Sequence, residues 1–65
     1  MSQCRAVEQE ISNVERQISH LEQQARIHTL GEEYAQLQRD IERLRERKDA
    51  LETKRKRLLD RGLGC

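Results

Sequence analysis

Two stripes of apolar residues run along this chain, each with the three- and four-residue spacing of one helical face. The first stripe comprises Val7, Ile11, Val14, Ile18, Leu21 and Ala25. The second has leucine at every seventh position and comprises Leu30, Tyr34, Leu37, Ile41, Leu44, Leu51 and Leu58. This spacing is the a and d pattern of a coiled coil. The pattern therefore predicts an all-α chain built from amphipathic helices.

The two stripes are out of phase near Gly31. The first places a positions at 11, 18 and 25 and the second at 27, 34 and 41, so the step from 18 to 27 is nine residues. Seven would keep register, and inserting three or four residues does not repair the break. We predict helices over about 2–28 and 32–61 with a turn near Gly31. Ser2 is the expected N-cap, and Gly62 is expected to stop the second helix and open a short flexible tail, 62–65.

Two arrangements of these helices fit the pattern. In an antiparallel hairpin the residue numbers of each layer sum to 62, which gives the apolar layers Ala25–Leu37, Leu21–Ile41, Ile18–Leu44 and Ile11–Leu51. Glu10 would then lie near Lys54, and Glu15 near Arg45. The alternative is a long parallel dimeric coiled coil, for which Ile at a and Leu at d are suited. A continuous helix would be about 90 Å long and a hairpin about half that. We favour the hairpin, itself oligomerising.

Composition bears on the oligomeric state and the compartment. The 65 residues form one module, 1–65, in which 34% are apolar and 38% charged, with no Phe or Trp. So few apolar residues do not fill a globular core, and we expect a homo-oligomer, a dimer first of all. The net charge of +1 gives no strong overall field. Without a hydrophobic run for a signal peptide or a membrane span, the expected location is intracellular, with no membrane partner.

The densest charged segment is Lys54, Arg55, Lys56 and Arg57. It is a candidate polyanion-binding site, which a nucleic-acid hypothesis would extend to Arg43 and Arg47, or else a solvated last turn that compensates the helix dipole. No aromatic residue is interleaved for base stacking, so nucleic acid is the less favoured partner. A leucine-zipper transcription factor is excluded because its basic region must precede the leucines, where this chain has only Arg5, Arg16 and Arg26.

The two cysteines are candidates for a disulfide. Cys4 lies on the first stripe, and Cys65 follows Gly-Leu-Gly, so a hairpin could bring them together. A parallel rod would instead join Cys4 to its twin. His20 and His28 have no ligand partners at metal-binding spacing. We find no nucleophile–base pair, phosphate-binding loop or carboxylate cleft, and therefore expect no catalytic residues, metal, cofactor or small-molecule substrate. The chain is not expected to be an enzyme.

The chain resembles the N-terminal coiled-coil arm of hantavirus nucleoproteins. The shared residues are Met1, Ser2, Val7, Ile11, Glu15, Gln17 and the segment Leu51-Glu52-Thr53-Lys54. The Asp-Pro-Asp turn of that family is replaced by His28-Thr29-Leu30-Gly31, and the arm is shorter. The resemblance implies a helical hairpin that assembles with its own kind in an RNA-packaging protein, and it brings no catalytic residues.

Three functional hypotheses follow. The first is a non-enzymatic module for self-association or for docking a partner helix. The second is an assembly arm of a nucleic-acid-packaging protein with a basic C-terminal patch. The third is a regulatory cap that presents a helix to a groove on a larger protein. The expected interface is formed by Val7, Ile11, Val14, Ile18, Leu21, Ala25, Tyr34, Leu37, Ile41, Leu44, Leu51 and Leu58.

Overall fold

The fold is an all-helical hairpin. The computed structural model describes residues 3–27 and 30–62, and it contains helix α1, Gln3–Ile27, followed by helix α2, Gly31–Arg61. The two helices pack against each other, which confirms the predicted helical hairpin. The helix ends predicted at residues 2 and 28 lie outside the described residues. α2 begins one residue earlier than predicted.

The hairpin turn depends on Leu30 and Gly31. Leu30 is the N-cap of α2, with an extended backbone (φ −135°, ψ 150°) and no side-chain capping hydrogen bond. Gly31 has φ 85°, in the left-handed region that side chains other than glycine rarely adopt. A Cβ added at Gly31 would meet nothing within 4 Å. Glycine is therefore required here by backbone conformation and not by lack of space. Glu32 and Glu33 occupy the first turn of α2, where negative charge is favourable.

The C-terminal end of α2 agrees with the prediction for Gly62. Its backbone is left-handed (φ 68°, ψ 21°), and its N–H reaches the carbonyl oxygens of Leu58 and Leu59, the latter at 3.1 Å. This capping satisfies carbonyl groups that the helix leaves without partners. Of the predicted tail, residues 63–65 lie outside the described residues.

The apolar core lies between the helices and forms two clusters. One contains Val14, Ile18, Ala25 and Ile41, with Leu21, Leu37, Leu44 and Leu51 packed against it. The other contains Val7, Ile11 and Leu58, also in contact with Leu51. Members of the predicted layers Ile18–Leu44 and Ile11–Leu51 therefore fall in the same clusters. Tyr34, predicted at the interface, is 37% exposed near the turn.

The phase break explains why the helices fold back on each other. Nine residues of α-helix turn through about 900°, which is two and a half revolutions. A continuous helix would therefore carry its two apolar stripes on opposite sides, and one partner could not cover both. The turn allows each helix to direct its stripe towards the other. The molecule measures 47 × 15 × 12 Å. Neither helix, as far as it is described, is long and apolar enough to cross a membrane.

Candidate interaction surface

Four leucines of the core are only partly covered by the hairpin. Leu21, Leu37, Leu44 and Leu51 are half-buried, whereas Ile18, Ala25 and Ile41 are buried. In these central layers the four leucines occupy d positions and the three buried residues occupy a positions, although the d residues Val7, Val14 and Leu58 are buried as well. On each helix the d positions lie next to the g positions of the heptad, and the g positions of two antiparallel helices are on the same broad side of the hairpin. These leucines therefore lie towards that side. That side therefore carries apolar surface that the two helices do not cover.

An open groove runs between the helices on the same side. It is lined by Leu21 and Leu44 together with Arg16, Gln17, His20, Asp40 and Arg43. We call this side the groove face. The opposite face carries Glu22, Tyr34, Gln38 and Arg45 beside buried Ala25 and Ile41. The two faces of the hairpin thus differ in composition as well as in position.

Ion pairs join the helices along both edges of the core. Arg45 Nη2 donates to Glu22 Oε2 at 2.9 Å on the opposite face. Arg47 Nη2 lies 3.6 Å from Glu10 Oε2 on the groove face. Their side chains are largely exposed, so each pair contributes only about 0–1 kcal/mol. The two pairs agree with an antiparallel alignment, because Glu10, the earlier residue of α1, pairs with Arg47, the later residue of α2.

The pairing partners differ from those expected from the sequence. Glu10 pairs with Arg47 instead of Lys54, and Arg45 pairs with Glu22 instead of Glu15. Each partner lies one heptad closer to the turn than the expected one. Glu and Arg side chains are long enough to reach about a helical turn along the axis, so the nearest backbone position does not decide the partner. The predicted antiparallel order is unaffected.

Two cations occupy positions of the second apolar stripe. Lys48 Nζ lies 3.7 Å from Glu52 Oε1 in the same helix. Arg55 Nε lies 3.6 Å from Glu8 Oε1 of α1. Each residue therefore directs its charged end towards a carboxylate at the edge of the core, and the aliphatic stem is left beside the apolar residues, as is usual for long basic side chains.

The predicted basic segment does not form one surface. Arg55 pairs with Glu8 across the hairpin. Lys56 is rotated about 200° from Lys54, at about 100° per residue, so the two point to different sides. Lys54 and Arg57 instead share the groove side of α2 with Arg43, Arg47 and Arg61, which recur at helical spacing. Arg61 was not among the residues predicted from the sequence, although its spacing from Lys54 and Arg57 could have included it.

The charges on the groove side of α2 change sign along the helix. Glu33, Asp40, Arg47, Lys54 and Arg61 follow one another at seven-residue intervals, which is close to two turns. The two acidic residues lie near the turn, which we call the tip, and the basic residues lie towards the other end, which we call the base. The α1 side of the groove face carries one acidic residue, Glu10, and one basic residue, Arg16, so its charges cancel. Its other polar residues are uncharged, namely Gln3, Asn13, Gln17, His20 and Gln24. The face therefore has an electrostatic direction.

The cysteines and histidines are the remaining candidate site residues. Cys4 is buried and disulfide-bonded. Cys65 lies outside the described residues, so the Cys4–Cys65 pairing stays a prediction, and so does any role for His28. His20 is exposed at the groove. Within residues 3–27 and 30–62, no three His, Cys, Asp or Glu side chains gather closely enough to hold a metal ion.

The tip exposes apolar side chains. Ile27 is 74% exposed and Leu30 is 87% exposed, next to the partly exposed Tyr34. They continue the spacing of the second stripe but lie beyond Ala25, where the first stripe ends. Ile27, the last residue of α1, does not cover Leu30, and both stay largely exposed.

No protein-family model, curated protein or solved structure matches this chain. The resemblance to hantavirus nucleoprotein arms consequently depends on the shared residues alone. A functional conclusion has to come from the surface of the hairpin itself.

Proposed function

We propose that this chain is a non-enzymatic coiled-coil module that associates with a second copy of itself through the groove face. The observation that carries the proposal is the half-burial of Leu21, Leu37, Leu44 and Leu51 on one side of the hairpin. Contiguous apolar surface of this kind marks interaction sites. Removing it from water stabilises an assembly by roughly 25 cal/mol for each Å² covered.

The arrangement of the core supports the coiled-coil part of the proposal. Buried residues at a and d positions lie between the helices, and ion pairs flank this core on both edges, as in paired helices with a 3-4 apolar repeat. A two-helix hairpin leaves the outer side of its d residues open. Two hairpins placed face to face would enclose those residues in a four-helix bundle, which is a common way of completing such a core.

Sedimentation equilibrium with two matched variants tests this proposal. The wild-type chain should sediment at twice its mass of 7.7 kDa at sufficient concentration. Gln17→Arg adds charge and bulk at the groove, whereas Gln38→Arg makes the same change on the opposite face. Both glutamines are exposed, and both substitutions keep a good helix former.

We expect Gln17→Arg to weaken association several-fold and Gln38→Arg to leave it unchanged. Circular dichroism should show equal helix content in all three proteins. A wild-type chain that stays monomeric up to millimolar concentration would contradict the proposal. Equal effects of the two substitutions would place the interface elsewhere.

A second candidate function is polyanion binding at the base of the hairpin. Residues 53–62 contain five basic residues and one acidic residue, Asp60. Only Arg55 among the five pairs with a carboxylate of the described residues. Guanidinium and ammonium groups arranged in this way suit phosphate oxygens, with affinity that falls steeply with salt.

Fluorescence anisotropy with a labelled nucleic-acid duplex tests this second function. Lys54→Ala/Arg57→Ala should weaken binding at physiological salt, and Arg26→Ala/Arg39→Ala removes the same charge away from the groove face as the control. If both double variants bind the duplex equally, the binding depends on net charge and not on a site at the base of the hairpin. Absence of wild-type binding at 150 mM salt would remove this candidate.

A further inference from the structure

We propose that the two copies pair in antiparallel orientation, with the tip of one hairpin against the base of the other. This inference rests on the proposed self-association through the groove face and adds the orientation and the contacts. It follows from the direction of charge along α2 and from the neutrality of α1 on the same face.

Symmetry determines which helices meet in the two possible orientations. Two hairpins face to face can be related by a two-fold axis along their length or across it. An axis along the length places α2 of one copy over α1 of the other with both tips together. An axis across the length places α2 over α2 and α1 over α1, with each tip beside a base.

The antiparallel orientation brings opposite charges together. With the axis near Arg47, Glu33 of one copy meets Arg61 of the second copy, and Asp40 meets Lys54 of the second copy. Symmetry repeats both contacts, so four opposite-charge contacts form. Arg47 would meet its own equivalent near the axis, but it already lies 3.6 Å from Glu10 within its own hairpin. The like-charge contact at the centre is thereby compensated.

The parallel orientation provides fewer contacts between opposite charges. The basic residues of α2 would lie over the α1 side of the groove face, whose acidic residue, Glu10, already pairs with Arg47. Gln17 and Gln24 are neutral. The half-buried leucines do not distinguish the orientations by themselves. With the axis near Arg47, however, Leu44 of one copy lies beside Leu51 of the other, so the half-buried leucines at the centre of the two α2 helices meet.

Charge-reversal variants test the orientation. The base variant is Lys54→Glu/Arg61→Glu, and the tip variant is Glu33→Lys/Asp40→Lys. Each should weaken self-association roughly tenfold at low salt, because four contacts become repulsive. The loss should diminish near 1 M salt, where the screening length is only about 3 Å. Glu42→Lys/Asp49→Lys, which changes net charge as the tip variant does but away from the groove side, should leave association unchanged.

Rescue is the deciding measurement. The chain with all four substitutions should recover wild-type association, although it retains every change that is unfavourable to the helix dipoles. An equimolar mixture of the base and tip variants should form heterodimers of wild-type strength, measured by native mass spectrometry. Dimerisation of the wild type without either rescue would overturn the antiparallel orientation and leave groove-face association standing. A monomeric wild type would overturn both.

Discussion

Truncation of Ile41 tests the packing on which the hairpin depends. Ile41 is 3% exposed and belongs to the cluster of Val14, Ile18 and Ala25. Leu59, on the same helix, is 51% exposed and provides a matched aliphatic control. The comparison of Ile41→Ala with Leu59→Ala therefore separates loss of buried contacts from a change of helix propensity.

The expected magnitudes follow from burial. Truncating a buried isoleucine to alanine costs about 2–5 kcal/mol. Alanine returns a few tenths of a kcal/mol through its higher helix propensity, and a thin two-helix core can relax, so we expect a loss of about 2 kcal/mol. Leu59→Ala should change stability by about 0.5 kcal/mol or less, as exposed sites usually do.

Urea and thermal unfolding followed by circular dichroism at 222 nm provide the assay. At about 4–8 °C per kcal/mol for a chain of this size, Ile41→Ala should lower the thermal midpoint by about 10 °C. Measurements at several protein concentrations separate folding from association, since association makes the midpoint concentration-dependent. Equal destabilisation by the two substitutions would refute the assignment of Ile41 to the centre of the core.

Three further outcomes are expected. A double-mutant cycle on Glu22→Ala and Arg45→Ala should give a coupling energy of at most about 1 kcal/mol that falls with salt, and a larger coupling that is insensitive to salt would contradict the exposed position of this pair. Lys48→Leu should raise the unfolding midpoint in urea, because an apolar side chain replaces a cation at a stripe position whose ion pair is exposed; a lowered midpoint would show that the charge is needed there. Reduction should lower the thermal midpoint of the wild type, because a typical disulfide contributes about 2–4 kcal/mol to the free energy of unfolding. It should leave the midpoint of Cys4→Ser unchanged. An unchanged wild-type midpoint under reductant would contradict a stabilising disulfide.

The fold could be predicted from the sequence because its determinants are local. The spacing of Val7 to Ala25 and of Leu37 to Leu58 indicates helices whatever the partner is. Gly31 and Gly62 both have a positive φ, and they lie where the sequence predicted a turn and the end of the second helix. The nine-residue step near Gly31 also belongs to the sequence, since the rotation of an α-helix is fixed by its geometry.

The candidate surface was less accessible to sequence reasoning. All the stripe residues look equivalent in the pattern, yet Leu21, Leu37, Leu44 and Leu51 are half-buried while Ile18, Ala25 and Ile41 are buried. The consecutive basic residues look like one patch, yet Arg55 is held by Glu8 and Lys56 points away from Lys54. These differences depend on the rotation of each helix about its own axis, which only contact between the helices determines.

Two amphipathic helices, with stripes half a revolution out of phase at Gly31, follow from the order of the residues alone. Contact between the helices sets which side of each leucine stays open, which carboxylate each arginine reaches and where the charges of α2 collect. The reason is that helix formation is set by neighbours along the chain, whereas exposure and pairing are set by the second helix. The groove face, with Leu21 and Leu44 in it and its charges graded from tip to base, exists only once the hairpin has closed.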